Sequence, residues 1–561
     1  MSKFTIYQVF PRLFGNRQTF NKPNGSKEEN GCGKFNDFTT RALAEIKALG
    51  ITHVWYTGII EHATQTDYSE AGIGKDHPAV VKGKAGSPYA IKDYYDVDPD
   101  LAENLENRML EFEDLVKRTH DAGLKVLIDF VPNHVARQYH SDAKPAGVKD
   151  LGEGDNPAWA FSPLNNFYYI PNQHFTPQFD TAGYSEFPAK ATGNDQFTAS
   201  PTRNDWYETV KLNYGVNYVE GCQKQFDPIP GTWNKMLDIL LFWAGKKIDG
   251  FRCDMAEMVP VEFWNYAVSH VKQEFPDIVF IAEVYQPAEY RNYIYNGKFD
   301  YLYDKVGLYD MLRNITTRNF PASNISNAWQ ALGGIENKML NFMENHDEQR
   351  IGSVFFSGNG LCAVPAMIVS ATLTQAPVMV YSGQELGEKG MDHEGFSGLD
   401  GRTTIFDYWG MGLTQDWING GKFDGGKLTC EQRELRLFYQ RLLNIALTEK
   451  AITQGLMYDL EFANFDNPAF DPHHQFAYFR KHDDDLLLVV LNFCGKLLDT
   501  GVRFPPGAFQ YLGVEESGRY GCSNLLDPEE TFPEAVNINS HELFEIQMPA
   551  WSGKIIKLKT L

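Results

Sequence analysis

Three carboxylates follow directly on short apolar runs: Asp254 in KIDGFRCD, Glu283 in DIVFIAE and Asp347 in LNFMENHD. One such acid is ordinary, because Asp and Asn readily cap the helix that follows a strand. Three at one mouth repel each other and are costly unless chemistry uses them. Breaking a glycosidic bond uses such a set, with one acid to protonate the leaving oxygen and one carboxylate to attack the anomeric carbon or direct water. Arg252 lies two residues before Asp254, on the same side of a strand, and would hold that aspartate ionised. Glu283 has the longer reach and no cation adjacent in sequence, and crowding by other acids raises a carboxyl's pKa. It is the candidate general acid.

These residues need strands whose ends converge. Apolar strand candidates run Phe4–Phe14, Ile51–Ile60, Lys125–Val131, Ile248–Asp254, Ile278–Tyr285, Phe299–Tyr303, Met339–Asn345 and Pro377–Ser382. Helical periodicity fills the intervals at Thr39–Leu49 and Met109–Ala122. Eight strands with intervening helices predict an α/β fold, a (β/α)8 TIM barrel in which conspicuous acids at strand ends read as catalytic. The third strand ends in Asp129, Asn133 and His134, the seventh in Asn345, His346 and Asp347.

About 110 residues separate the third strand from the fourth, where a crossover needs only a few tens. The expected division is therefore a barrel over 1–134 and 229–445 with an inserted subdomain over 135–228 on the face bearing the strand ends. After Ile445 the texture becomes QFAYFRK, DLLLVVLNF and GKIIKLKTL. That predicts a C-terminal antiparallel β-sandwich over 446–561.

A net charge of −22 argues against nucleic acid, which needs concentrated positive charge. No apolar run is long enough to span a membrane. The seven cysteines are scattered, with no CxxC pair, and the first strand begins almost at once without a leader pattern. A cytoplasmic protein is expected, without disulfides or a zinc site. Oligomeric state is not readable from the sequence.

The segments DFVPNH, GFRCD, AE and ENHD, in that order, resemble the four short signatures of the α-amylase family of glycoside hydrolases. The resemblance extends over the barrel, the insertion and the C-terminal region. It implies Asp254 as nucleophile, Glu283 as acid/base and Asp347 as the aspartate that holds substrate hydroxyls. It implies His134 and His346 as sugar-binding histidines and Arg252 as the arginine beside the nucleophile. SPYAIKDYYDVDP resembles the segment whose tyrosine, here Tyr89, stacks under the sugar. PVMVYSGQELGE and GRTTIFDYW resemble the eighth strand and the segment after it. Asp98 and Asp407 are within range of the cleft without an assigned role.

The implied reaction is retaining hydrolysis of α-1,4 bonds in starch-derived glucans or maltooligosaccharides, with no cofactor in the chemistry. Asn133 matches a position that binds structural calcium in many members, so calcium stays open. The Lys-His pair usual after the nucleophile is replaced by Met255–Ala256–Glu257. With VKLN at Val210–Asn213, this looks more like the neopullulanase and maltogenic branch, although that branch's N-terminal domain is not expected before Phe4. The alternatives are a transglycosylase of the same family, 4-α-glucanotransferase or trehalose-forming, and a non-catalytic carbohydrate-binding relative.

Overall fold

The computed structural model describes residues 3–390 and 398–561. Eight parallel strands close into a barrel: β1 (Thr5–Val9), β2 (His53–Tyr56), β3 (Lys125–Phe130), β4 (Gly250–Cys253), β5 (Val279–Ala282), β6 (Tyr301–Tyr303), β7 (Met339–Phe342) and β8 (Val378–Tyr381), with β8 paired back onto β1. All eight expected strands are present. The first is shorter than its apolar run, because Pro11 opens a helical turn at Pro11–Phe14. Proline has no N–H for a sheet ladder, and its fixed φ suits a first helical position. The expected helices run Thr40–Ala48 and Arg108–Asp121, and the Thr39 hydroxyl caps the first by accepting from Ala42 N–H.

Period-2 alternation sorts the strand side chains. Phe4, Ile6, Trp55, Leu127, Ile281, Tyr303 and Phe342 form one cluster inside the barrel. Val9, Val54, Tyr56, Val126 and Ile128 belong to the outer core beneath the helices. Both faces are buried, which is why these strands read as nearly continuous apolar runs. Gly250 is required inside: a Cβ there would lie 2.6 Å from the Val279 carbonyl oxygen and 2.7 Å from Leu127 Cδ2.

Helix Gly231–Gly245 makes the crossover into β4 and buries Trp233, Leu240 and Trp243. Each such side chain contributes about 1.5–3 kcal/mol through burial. Before it the chain forms short antiparallel pairs, of which His134–Ala136 with Thr209–Lys211 joins the two ends of the excursion. Between them lies a small core of Phe175, Ala189, Ala199 and Tyr207 with Val80. Arg137 is ion-paired with Glu186 at 2.7 Å and stands 4.0 Å from the Phe175 ring centre.

The C-terminal strands are β9 (Leu456–Asp459), β10 (Gln475–His482), β11 (Asp485–Asn492), β12 (Leu498–Val502), β13 (Gly518–Asn524), β14 (Val536–Ile538), β15 (Phe544–Met548) and β16 (Ser552–Thr560). Six form an antiparallel sheet in the order β9-β10-β11-β16-β13-β14, and β12 pairs separately with β15. Ala477, Phe479, Leu488 and Val490 face a core shared with Val502, Phe544 and Ile546 of the smaller sheet. Their neighbours Phe476, Tyr478, Leu487 and Val489 join the barrel's core instead. The junction lies on helix Val364–Thr372: Tyr478 and Thr372 hydroxyls are hydrogen-bonded at 2.6 Å, and a Cβ on Gly553 would meet Ile368 Cδ1 at 2.5 Å.

Candidate active site

The inward register of β3, β4 and β5 sets one layer of polar side chains at the end of the barrel. Arg252 pairs in register with Asp129 on one side and Ile281 on the other. Two residues further along the same parity come Asp254 and Glu283. The Arg252 guanidinium is 1% exposed and donates from Nη1 to Asp254 Oδ1 at 2.8 Å. Its Nη2 lies 2.7 Å from Glu283 Oε2, an ion-pair distance without hydrogen-bond alignment, and Nη1 lies 3.4 Å from Asp129 Oδ1. Tyr303, Trp55 and Tyr89 surround it, each ring centre about 5.4–5.5 Å from the guanidinium carbon. One permanent cation thus serves three buried carboxylates.

Burial pushes the Asp254 carboxyl well above the carboxylate range; Arg252 opposes this, and the charges of Glu283 and Asp129 add to it. Burial carries Asp129 up to about 6 against the same arginine. Glu283 is held on both oxygens: Met255 N–H donates to Oε2 at 2.8 Å, and the Tyr285 hydroxyl donates to Oε1. Met255 adopts a left-handed backbone (φ 42°), uncommon for a residue with a Cβ, and this turns its N–H toward the acid.

Beneath the cleft, His346 joins the layers. Its Nδ1 is hydrogen-bonded to Gln8 at 2.7 Å and its Nε2 to the Tyr89 hydroxyl at 2.6 Å, with Asp347 Oδ2 3.1 Å from the same nitrogen. Burial keeps His346 neutral and depresses His134 to about 3. The His134 ring packs 5.2 Å from Trp206 of the inserted segment. Asp347 is the most open of the three acids, its side chain 43% exposed, and its N–H is fixed by Asn345 Oδ1 at 2.9 Å.

A cleft of about 510 Å³ opens over this layer. Asp254, Glu283, Asp347, Tyr89 and His134 line it, while Arg252 and His346 lie directly underneath. Asp98 and Asp407 do not line it: Asp98 is buried with Oδ2 3.5 Å from His62 Nε2, and Asp407 accepts from the Thr404 hydroxyl. Asn133 does not offer its oxygen to a metal. Its Oδ1 accepts from the buried Lys211 ammonium, which also meets Asp195 at 2.7 Å and the Met258 carbonyl at 3.2 Å. A covalently tethered cation fills that position, so the residues present do not fit calcium there.

The walls that sequence reading did not single out are Tyr285, Trp206, the Lys82–Glu208 pair (3.0 Å), Lys305 and Arg402. Tyr285 alone had a usable signal, lying two residues after Glu283 and so on its side of the strand. Lys305 opens the helical turn Lys305–Tyr309, and the others come from irregular loops.

The sequence pattern described as Alpha amylase, catalytic domain, matches residues 8–416. The chain belongs to the α-amylase family of glycoside hydrolases. It is 24% identical over 395 residues to alpha-amylase MalA of Haloarcula japonica, covering 69% of this chain and 44% of that one. It is 22% identical over 404 residues to neopullulanase 2 of Thermoactinomyces vulgaris, covering 69% and 56%. The chain thus spans about half the length of these relatives. An α-amylase structure from Geobacillus thermoleovorans, complexed with acarbose, superposes with a TM-score of 0.64 over 99% of this chain and 98% of that one, at 17% identity.

Within Met255–Ala256–Glu257, the backbone of the first residue and the side chain of the last both brace the Glu283 segment. Met255 supplies the N–H on Glu283. The Glu257 carboxylate accepts from Tyr285 N–H at 3.0 Å and Gln286 N–H at 3.1 Å, clamping the chain just beyond Glu283.

Proposed function

We propose that this protein hydrolyses α-1,4-glucosidic bonds of starch-derived glucans or maltooligosaccharides with retention, through a glycosyl-enzyme on Asp254. The observation that carries this reading is the single buried guanidinium shared by Asp254 and Glu283 on the floor of one cleft. Arg252 favours the ionised Asp254 that attacks the anomeric carbon, against the upward push of burial. Glu283, held by Tyr285 and Met255, gives its proton to the leaving oxygen and then takes one from the incoming water. Asp347 projects into the cleft where substrate hydroxyls lie, and Tyr89 and His134 form walls for the sugar at the cleavage point.

The anomeric configuration of the first product, followed by NMR on maltotriose, tests the reading. The α-anomer is expected first, and initial release of the β-anomer defeats it. Early accumulation of oligomers longer than the substrate would instead assign the intermediate to transfer onto sugar. No described helix is long and apolar enough to cross a membrane. The cytoplasmic assignment is supported by seven unpaired cysteines; localisation of the tagged full chain checks it.

A further inference from the structure

A second group of carboxylates lies outside the cleft. The short strand Ile60–His62 pairs antiparallel with Ile91–Val97, and the register shifts on both sides of Glu61. Such irregularities re-aim a side chain. Glu61 faces Asp93 across the pair, and like charges directly opposite destabilise a sheet. Asp96 and Asp142 complete the group: ligand oxygens of Glu61, Asp96 and Asp142 all lie within 4.8 Å of one another. Opposite ligands of one calcium ion, bonded at about 2.3–2.6 Å, span roughly 5 Å.

The occupancy of each acid is uneven. Asp93 accepts from the Ser141 hydroxyl and from Tyr95 and Ala143 N–H at 2.8 and 2.9 Å. Asp96 accepts from Arg108 Nε and Val97 N–H, both at 2.7 Å. Glu61 is 1% exposed, and neither of its oxygens has a hydrogen-bond partner among the described residues. Lys92, the nearest other cation, is ion-paired to Asp76 at 3.0 Å. Four carboxylates therefore meet one guanidinium, and the buried Glu61 points unpartnered into the group. Burial and the charges of Asp93, Asp142 and Asp96 drive the Glu61 carboxyl up to about 9 against the weaker pull of Lys92.

We propose that Glu61, Asp96 and Asp142 bind a calcium ion that ties the start of the inserted segment to the strand following Tyr89. Hard oxygen donors from loops and a bulged strand suit a cation that accepts irregular coordination, as calcium does. Asp142 is exposed, which leaves an entry path and room for water ligands. This site does not rest on the proposed reaction, and its test reads stability and binding.

The full chain, stripped with chelator and exchanged into calcium-free buffer, is titrated with calcium chloride by thermal unfolding and calorimetry. A rise in Tm of roughly 2–4 °C at saturating calcium and a single binding isotherm are expected. Glu61→Gln keeps the shape but removes the central ligand. Its Tm in chelator equals or exceeds that of wild type, and calcium moves it no further. Asp142→Asn, at the exposed edge, weakens calcium affinity about tenfold. A wild-type Tm indifferent to calcium, or an undiminished response in Glu61→Gln, overturns the proposal. Should Glu61→Gln not fold, an undiminished response in Asp142→Asn overturns it.

Discussion

The barrel mouth and the C-terminal sheet both bury ionisable groups, and they neutralise them differently. At the mouth Arg252 is placed against Asp254, Glu283 and Asp129, charge against charge. In the C-terminal sheet, Arg480 is 2% exposed and has no carboxylate partner among the described residues. It donates to the carbonyls of Leu373, Ala451, Ile452 and Gly455, at 2.8, 3.0, 2.7 and 3.1 Å. Nearby Glu461 is 1% exposed, with both oxygens unpartnered among the described residues. At the mouth the pairing favours the ionised forms that a reaction uses, whereas Arg137–Glu186 shows the same pairing serving structure in the inserted segment. Around Arg480 and Glu461, peptide dipoles and a retained proton take its place.

The sharpest division between the regions comes from Asp254→Asn. It should lower kcat by about 10³-fold or more while leaving Tm within a few degrees of wild type. Activity above a tenth of wild type would dissolve the contrast. The opposite pattern is expected of Arg480→Met, which strands four carbonyls. Denaturant unfolding should show a loss of about 3 kcal/mol or more, with kcat per folded molecule unchanged.

Within the mouth, Tyr285→Phe removes one hydrogen bond that orients Glu283 and should reduce kcat by about 10–100-fold, with little change in KM. The acid limb of kcat/KM offers a milder check. The Asp254 carboxyl is raised by burial, so activity falls as pH drops through a value above the ordinary 3.9 or so of aspartate. His134 and His346 are depressed, so no inflection belongs to them near pH 6.5.

The smallest expected effect is at Glu461, raised to about 9 by burial beside Asp459 and Asp471. Folded Glu461 keeps a proton that the unfolded chain releases above pH of about 4.5. Its stabilising share is complete below that pH and is lost as pH rises toward 9. Glu461→Gln should therefore gain about 1 kcal/mol or more at pH 8 and flatten the pH dependence of Tm.

The barrel was legible because each strand is buried on two faces and announces itself as an apolar run, and the candidate carboxylates were legible because they interrupt those runs. Asp254, Glu283 and Asp347 share one cleft with Tyr89 and His134 for that reason. Tyr303, Gln8 and Trp55 under the floor follow the same parity and were overlooked because aromatic and amide residues do not interrupt an apolar strand conspicuously. Lys211 was hidden for a different cause: its partners Asn133, Asp195 and Met258 come from three distant segments, and no spacing encodes their meeting. Trp206, Lys82 and Arg402 belong to loops without periodicity, where position is decided by tertiary contacts alone.

Helix Val364–Thr372 is buried from Pro365 onward, and part of its cover is β16, which follows every barrel strand in the chain. During synthesis at about 5–20 residues per second, the barrel strands leave the ribosome on the order of ten seconds or more before β16 does. For that interval a finished barrel carries a bare greasy flank. The C-terminal sheet thus acts as a late-arriving cover for its neighbour, and shortening the chain from that end would turn a catalytic barrel into an aggregating one.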